Sequence, residues 1–347
     1  MISESFIEKK DTNIIKGVAL IFMFVHHFFT FPERLIDGIS YNGIDLFADL
    51  FHDPFKICVS IFAFLTGYFY YFNNNKTFKY SFKKSTDLYI NYVIVLALML
   101  IMDLILKCSA LSAKSVILEL TLLDMPHMEF CWYVAFYIIA IMLLPVYSKI
   151  SQKSPIPAFL FGVILPCLIC VVINTVKAYF NVGSFDAVLD IVAYIRWFPC
   201  VATGYLFASE KLFQKIDICN SCNRYIKTVI YLLFMIVPFF ARTGNGSFDF
   251  VFAPTFIFGL IGLLKSFKNV KLLFPVALIG KYSLLMWFIH SIFFNVSKDF
   301  TQPILYYPHN PILVLLWGIV ICLSISFIVS FPINFIIKIK NKLLRLA

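Results

Sequence analysis

Ten stretches of this chain are mostly apolar and run close to the about 17–25 residues a helix needs to cross some 30 Å of hydrocarbon at about 1.5 Å per residue. They fall near residues 14–31, 55–72, 88–107, 130–148, 156–176, 188–208, 228–242, 249–264, 275–295 and 311–337. Soluble domains are about 45–50% apolar and about 25% charged; this chain is 61% hydrophobic and 14% charged, with a mean hydropathy of +0.87. No water-soluble core absorbs that surplus. The expected fold class is therefore an all-α polytopic membrane protein, about ten transmembrane helices forming a single integral-membrane domain over residues 1–347. The seventh and eighth stretches are short and interrupted, by Pro238 and by Pro254, and the last is expected to break near Pro332. A polar start, MISESFIEKKDTN, precedes the first apolar run, and no small-residue cleavage site follows it. The first helix is thus expected to stay in the protein.

Basic residues supply a second, independent pattern. Numbering the loops alternately, nineteen of the 29 Lys and Arg fall on the side that holds Lys9, Lys10 and the Lys338–Arg345 tail, and six (Arg34, Lys107, Lys114, Lys177, Arg242 and Lys298) fall on the other as loop charges. Lys16, Lys56, Arg196 and Lys281 lie within or at the ends of spans. Cytoplasmic loops carry the excess of Lys and Arg, so both termini are expected in the cytoplasm and the protein in the cytoplasmic membrane. The net charge of +10 is then an inner rim facing anionic lipid, and no nucleic-acid partner is implied. Cys219 and Cys222 form one CxxC in a basic loop. Zinc sites normally need two such pairs or nearby histidines, so no metal is assigned.

Ionisable groups inside spans are costly and point to function, and the first span holds three. In NIIKGVALIFMFVHH (13–27), eleven residue steps separate Lys16 from His27. On a helix that is three turns plus roughly 20°, so the two share one face about 16 Å apart, while His26 points about 100° away. Histidine is the side chain best poised to take a hydroxyl proton near neutral pH. A cation at the helix lip suits the phosphates of an activated donor. Together they describe a transferase with a cytoplasmic donor and a reaction deep in the membrane.

Several stretches resemble one known family, the acyltransferase 3 group of integral-membrane bacterial O-acyltransferases. Its signature is Arg or Lys, ten residues, then His in the first helix, which Lys16 and His27 match. FAFLTGYFYYF (62–72), FKKSTDLYINY (82–92), EFCWYVAFYII (129–139) and LIGKYSLLMWFIH (278–290) are similar to further family segments in the same order. Thr66 replaces a Ser, Asn91 a Pro, and one basic position of the second of these segments is lost. The resemblance implies transfer of an acetyl or other acyl group from cytoplasmic acyl-CoA to a sugar hydroxyl of an envelope glycan, most readily capsular or exopolysaccharide. It implies His27 and His290 as catalytic residues, with His27 as general base or acyl relay. Lys16, helped by Lys76, Lys79, Lys83 and Lys84, would hold the CoA phosphates. From their own positions, Arg196 is a further candidate for an anionic group, Ser283 and Trp132 are candidates for the acceptor path, and Glu129 is a candidate for the same path or for orienting a histidine. Acetyl-CoA is the expected co-substrate, and a glycan or its lipid-linked precursor the expected partner.

Three residues have competing readings. Ser283 and His290 share a face seven residues apart, a spacing that equally suits a bond between helices. Arg196 is expected to sit mid-span against an acidic or phosphate partner. His52, His127 and His309 are expected in solvated outer loops. The rival class is a flippase for polysaccharide or lipid-linked oligosaccharide, but no two-halves repeat of the kind many transporters carry is present in the sequence.

Overall fold

The computed structural model describes residues 5–39, 41, 44–106, 112–180, 186–216, 223–266 and 273–346. It is 84% helical with no strand among the described residues. Among the described residues, nine helices are long and apolar enough to span a membrane, and the number rises to ten if the consecutive pair Phe274–Lys281 and Ser283–Asn295 is counted as one span. These ten coincide with the ten apolar stretches. The seventh and eighth are uninterrupted helices, Arg224–Ala241 with Pro238 inside it and Asp249–Ser266 with Pro254 inside it. The last runs continuously from Pro311 to Leu346 through Pro332, so the expected break there is absent. Neighbouring helices and local adjustments compensate for a proline inside a membrane helix. The chain does break within the ninth stretch, at Tyr282.

Two compact units share the chain, each from interleaved segments. One comprises Met1–Met23, Leu50–Phe82 and Phe136–Lys281, the other Phe24–Asp49, Lys83–Ala135 and Tyr282–Ala347.

The first unit is assembled by close backbone approach, for which a membrane offers small residues rather than a hydrophobic drive. A Cβ on Gly67 would lie 1.8 Å from the carbonyl oxygen of Val201, and one on Gly204 would lie 2.1 Å from that of Phe64. Ile57–Tyr71 and Phe198–Ser209 therefore touch backbone to backbone. The same device joins the first helix, Lys9–Phe29, to Phe274–Lys281: a Cβ on Gly17 would meet the Val276 carbonyl at 2.0 Å, and one on Gly280 the Asn13 carbonyl at 1.8 Å. That contact fixes the neighbourhood of Lys16.

In the second unit, Ser283–His290 packs beside the long final helix, and Phe28 lies where a Cβ on Gly318 would stand, its ring carbon 2.5 Å from that point. An ion pair between Asp87 and Lys340 puts the Lys83–Lys84 end of Phe78–Leu106 beside the basic end of the final helix. Both ends belong to the loop group with the basic excess.

Candidate active site

The first helix stops at Phe29 because Pro32 cannot continue it and biases Phe31 out of the helical region. The last four carbonyls of a helix lack intrahelical donors, and three of these four are met by side chains. Thr30 donates to the carbonyl of His26 at 2.6 Å, Tyr306 to that of Phe28 at 2.6 Å, and Tyr41 to that of Phe29 at 2.7 Å. The end that carries both histidines is thereby held.

His26 is buried, with Nδ1 3.2 Å from the Thr30 hydroxyl. Since that hydroxyl's proton goes to the backbone carbonyl, the ring nitrogen is the donor between them. His27 faces elsewhere. Its ring centroid lies 4.0 Å from Phe130 and 5.0 Å from His290, so residues 263 positions apart in sequence form a histidine pair. His290 is fully buried, and its Nδ1 donates to the carbonyl of Trp287 one turn earlier. A carbonyl only accepts, so the proton sits on Nδ1 and the lone pair on Nε2. That Nε2 is buried and has no hydrogen-bond partner among the described residues. Trp287 donates its indole N–H to the carbonyl of Phe130 at 3.1 Å, which ties the residue whose ring borders both histidines to the helix of His290.

Phe130 sits on a single helical turn, Glu129–Cys131, and the loop before it is anchored by a buried acid. One carboxylate oxygen of Glu119 accepts the backbone N–H groups of His127 and Met128 at 2.7 and 3.1 Å. The other meets His127 Nδ1 at 2.9 Å. Asp103 lies 4.0 Å from the far nitrogen of the same ring, and Asn295 donates to the His127 carbonyl at 3.3 Å. His127 is therefore buried and paired, where a solvated loop was expected. Its hydrogen bond to Glu119, aided by the Glu119 and Asp103 charges, outweighs burial and raises its pKa above the ordinary value.

Residues 10–333 match a family model described as an acyltransferase domain, that of the acyltransferase 3 group. The chain belongs to this acyltransferase family. No curated protein and no solved structure gives a significant match. With nine to ten apolar spans among the described residues, the chain is a multi-pass membrane acyltransferase.

All the residues singled out in the sequence fall inside the matched stretch of this acyltransferase, and the structure separates them. His27 and His290 come together. Ser283 is buried at the opposite end of the eight-residue helix that ends in His290. Glu129 pairs with Arg34 at 3.1 Å, and among the described residues no ion pair joins it to a histidine. Trp132 follows the Phe130 turn, half-buried, its ring 6.1 Å from that of Tyr133. Lys83 and Lys84 are exposed near the start of Phe78–Leu106. Lys16 is half-buried on the first helix, and among the described residues no carboxylate lies in ion-pair range of it. Arg196 lies in its span but exposes its side chain, the guanidinium 5.5 Å from the Trp197 ring centre. Cys219 and Cys222 lie outside the described residues, and among those described no cluster of three His, Cys, Asp or Glu side chains is placed to hold a metal.

Arg34 and Phe130 were not singled out in the sequence. Arg34 resembled any loop cation, and Phe130 is one of 41 phenylalanines. Chemically, the cluster offers an open imidazole nitrogen beside a second imidazole, which is equipment for taking a proton from a hydroxyl and returning it.

Proposed function

We propose that this membrane acyltransferase moves an acetyl group from acetyl-CoA to a sugar hydroxyl of an envelope glycan, with a capsular or exopolysaccharide as acceptor. The observation that carries this reading is the His27–His290 pair, 5.0 Å between centroids, with the open Nε2 of His290. The thioester is already activated, so the chain needs to supply a base and positioning. His27 takes the hydroxyl proton, and His290 shares in its transfer.

Lys16 supports the donor half of the reading. It is a half-buried cation on the same continuous helix as His27, without an acidic neighbour among the described residues. An ammonium in that setting gains most from an anion, and CoA brings phosphates. Lys83 and Lys84 are exposed near the start of their helix and are further cations available to an anionic donor. On this reading the loops rich in Lys and Arg face the cytoplasm, where acyl-CoA is made, and the protein resides in the cytoplasmic membrane.

The test compares envelope glycans from cells with and without the gene, together with purified protein given radiolabelled acetyl-CoA. Loss of O-acetyl groups from one glycan, with label reaching that glycan in vitro, is the expected result. Unchanged glycans and no consumption of acetyl-CoA would overturn the reading.

A further inference from the structure

We infer that Arg34 is a catalytic residue of the acyl transfer, holding the carbonyl oxygen of the acyl group as it becomes an oxyanion. The inference rests on the acyl-transfer reading above. Its own observations concern Arg34 and the ring it shares with the histidine pair, beyond the Lys16–His27 signature.

Arg34 ends a single turn, Pro32–Arg34, whose backbone is mounted on a fully buried glutamine. Gln302 donates to the carbonyl of Arg34 at 2.9 Å and accepts the N–H of Ile36 at 2.9 Å. The guanidinium is then clasped between two rings, its central carbon 4.4 Å from the centre of Phe31 and 4.8 Å from that of Phe130. Phe130 is the ring that also borders His27 at 4.0 Å and His290 at 5.3 Å. One guanidinium and two imidazoles thus border one phenyl group.

The donors of this guanidinium are unequally used. Nη2 gives a hydrogen bond to Glu129, whose side chain is 58% exposed. Nη1 is buried and has no hydrogen-bond partner among the described residues. A surface ion pair does not bury a charged N–H between aromatic faces, and a buried donor left unanswered is expensive to keep. Fixed donors aimed at a developing negative charge, in a site that excludes water, are the usual source of oxyanion stabilisation. Glu129 and Gln302 are positioning residues here; they hold the guanidinium while Nη1 stays open.

The step balances as follows. The proton of the acceptor hydroxyl passes to an imidazole nitrogen of the histidine pair, and the hydroxyl oxygen forms a bond to the acyl carbon. The carbonyl electron pair moves onto oxygen, where Nη1–H of Arg34 holds it. Collapse of this oxyanion re-forms the carbonyl and breaks the carbon–sulfur bond. The CoA sulfur leaves with the bonding pair and takes the proton from the imidazolium.

The test uses the full-length protein purified in detergent and assayed for transfer from acetyl-CoA. Arg34→Gln should lower kcat by about 10²–10³, the usual effect of losing one oxyanion donor. KM for acetyl-CoA should stay within about twofold, and the acid limb of the pH–rate profile should not move. Free guanidinium should restore part of the activity of Arg34→Ala. Normal kcat in Arg34→Gln, a loss confined to KM, or an acid limb that shifts with the substitution would overturn the assignment, the last because Arg34 would then act by tuning the histidines. If Arg34→Gln fails to fold, Arg34→Lys keeps the charge, and full kcat there would equally overturn a role that needs the fork of Nη1 and Nη2. A wild-type protein that does not use acetyl-CoA would overturn the parent reading, and this inference with it, whereas an active wild type beside an active Arg34→Gln overturns this inference alone.

Discussion

Arg242 and Arg34 look alike in the sequence: each is a lone arginine in a loop after an apolar stretch, counted with the side poor in basic residues. In the structure they are opposites. Arg242, in the first unit, is buried and every arm is answered. Nε and Nη2 grip the two oxygens of buried Asp249 at 2.8 and 3.0 Å, and Nη1 reaches the carbonyl of Asp53. Ser60 closes the Asp249 carboxylate from the next helix at 2.6 Å. Arg34, in the second unit, spends one arm on an exposed glutamate and buries another with no acceptor among the described residues. A saturated guanidinium is a strut between helices; the unsaturated one shares the Phe130 ring with two imidazoles, which is the arrangement the proposed oxyanion role rests on. Counting the partners of each donor atom separates structural from chemical arginines where counting charges does not.

The comparison breaks if the two arginines respond alike. The largest stability effect is expected at the strut. Removing one partner of a buried ion pair strands the other charge and costs about 3–5 kcal/mol, so Asp249→Ala should unfold far earlier than wild type in detergent, by thermal denaturation. The fraction that remains folded should keep its turnover number. An Asp249→Ala protein with wild-type stability would show that the Arg242 cluster is not the strut described here.

A smaller effect separates donor binding from chemistry. Lys16→Gln should raise KM for acetyl-CoA about tenfold, equivalent to about 1.4 kcal/mol, with kcat nearly unchanged, while Lys16→Arg should stay close to wild type. Unchanged KM in the Gln variant would put the phosphate contact elsewhere.

The smallest effect concerns the loop that carries Phe130. The raised pKa of His127 means the folded protein binds that proton more tightly than the unfolded chain, whose histidines titrate near 6.5. The contribution to stability is therefore complete below about pH 6.5 and is lost as pH rises through the folded value. The melting temperature of wild type should exceed that of His127→Gln most at mildly acid pH, and the gap should narrow on the alkaline side. A gap that widens with pH would contradict the Glu119–His127 pairing.

What the sequence made legible follows from the range of each pattern. The spans were readable because membrane thickness sets their length, and Pro238, Pro254 and Pro332 misled only about interruption. Lys16 and His27 were readable as a pair because one helix carries both. The meeting of His27 with His290 depends on packing across 263 residues, which no local period reports; each histidine had a motif, but not a partner. Arg34, His127 and Arg242 were read as loop charges because hydropathy averages over a window and hides which single atoms are buried. Of the reciprocal glycine contacts, Gly17, Gly67 and Gly280 lie inside segments singled out above and Gly204 only inside an apolar stretch, yet in every case only backbone distances reveal why glycine is needed there.

The central claim is that the His27 face, and not merely a histidine at this depth, performs acyl transfer. The direct measurement is acetyl transfer from acetyl-CoA by purified His27→Ala and His26→Ala proteins at equal folded concentration. Because His27 lies against Phe130 and His290 while His26 is committed to Thr30, His27→Ala should lose about 10²–10⁴ in rate. His26→Ala should stay within about tenfold of wild type, the milder loss set by its hydrogen bond to Thr30. Equal losses in the two variants, or a normal rate in His27→Ala, would contradict the account.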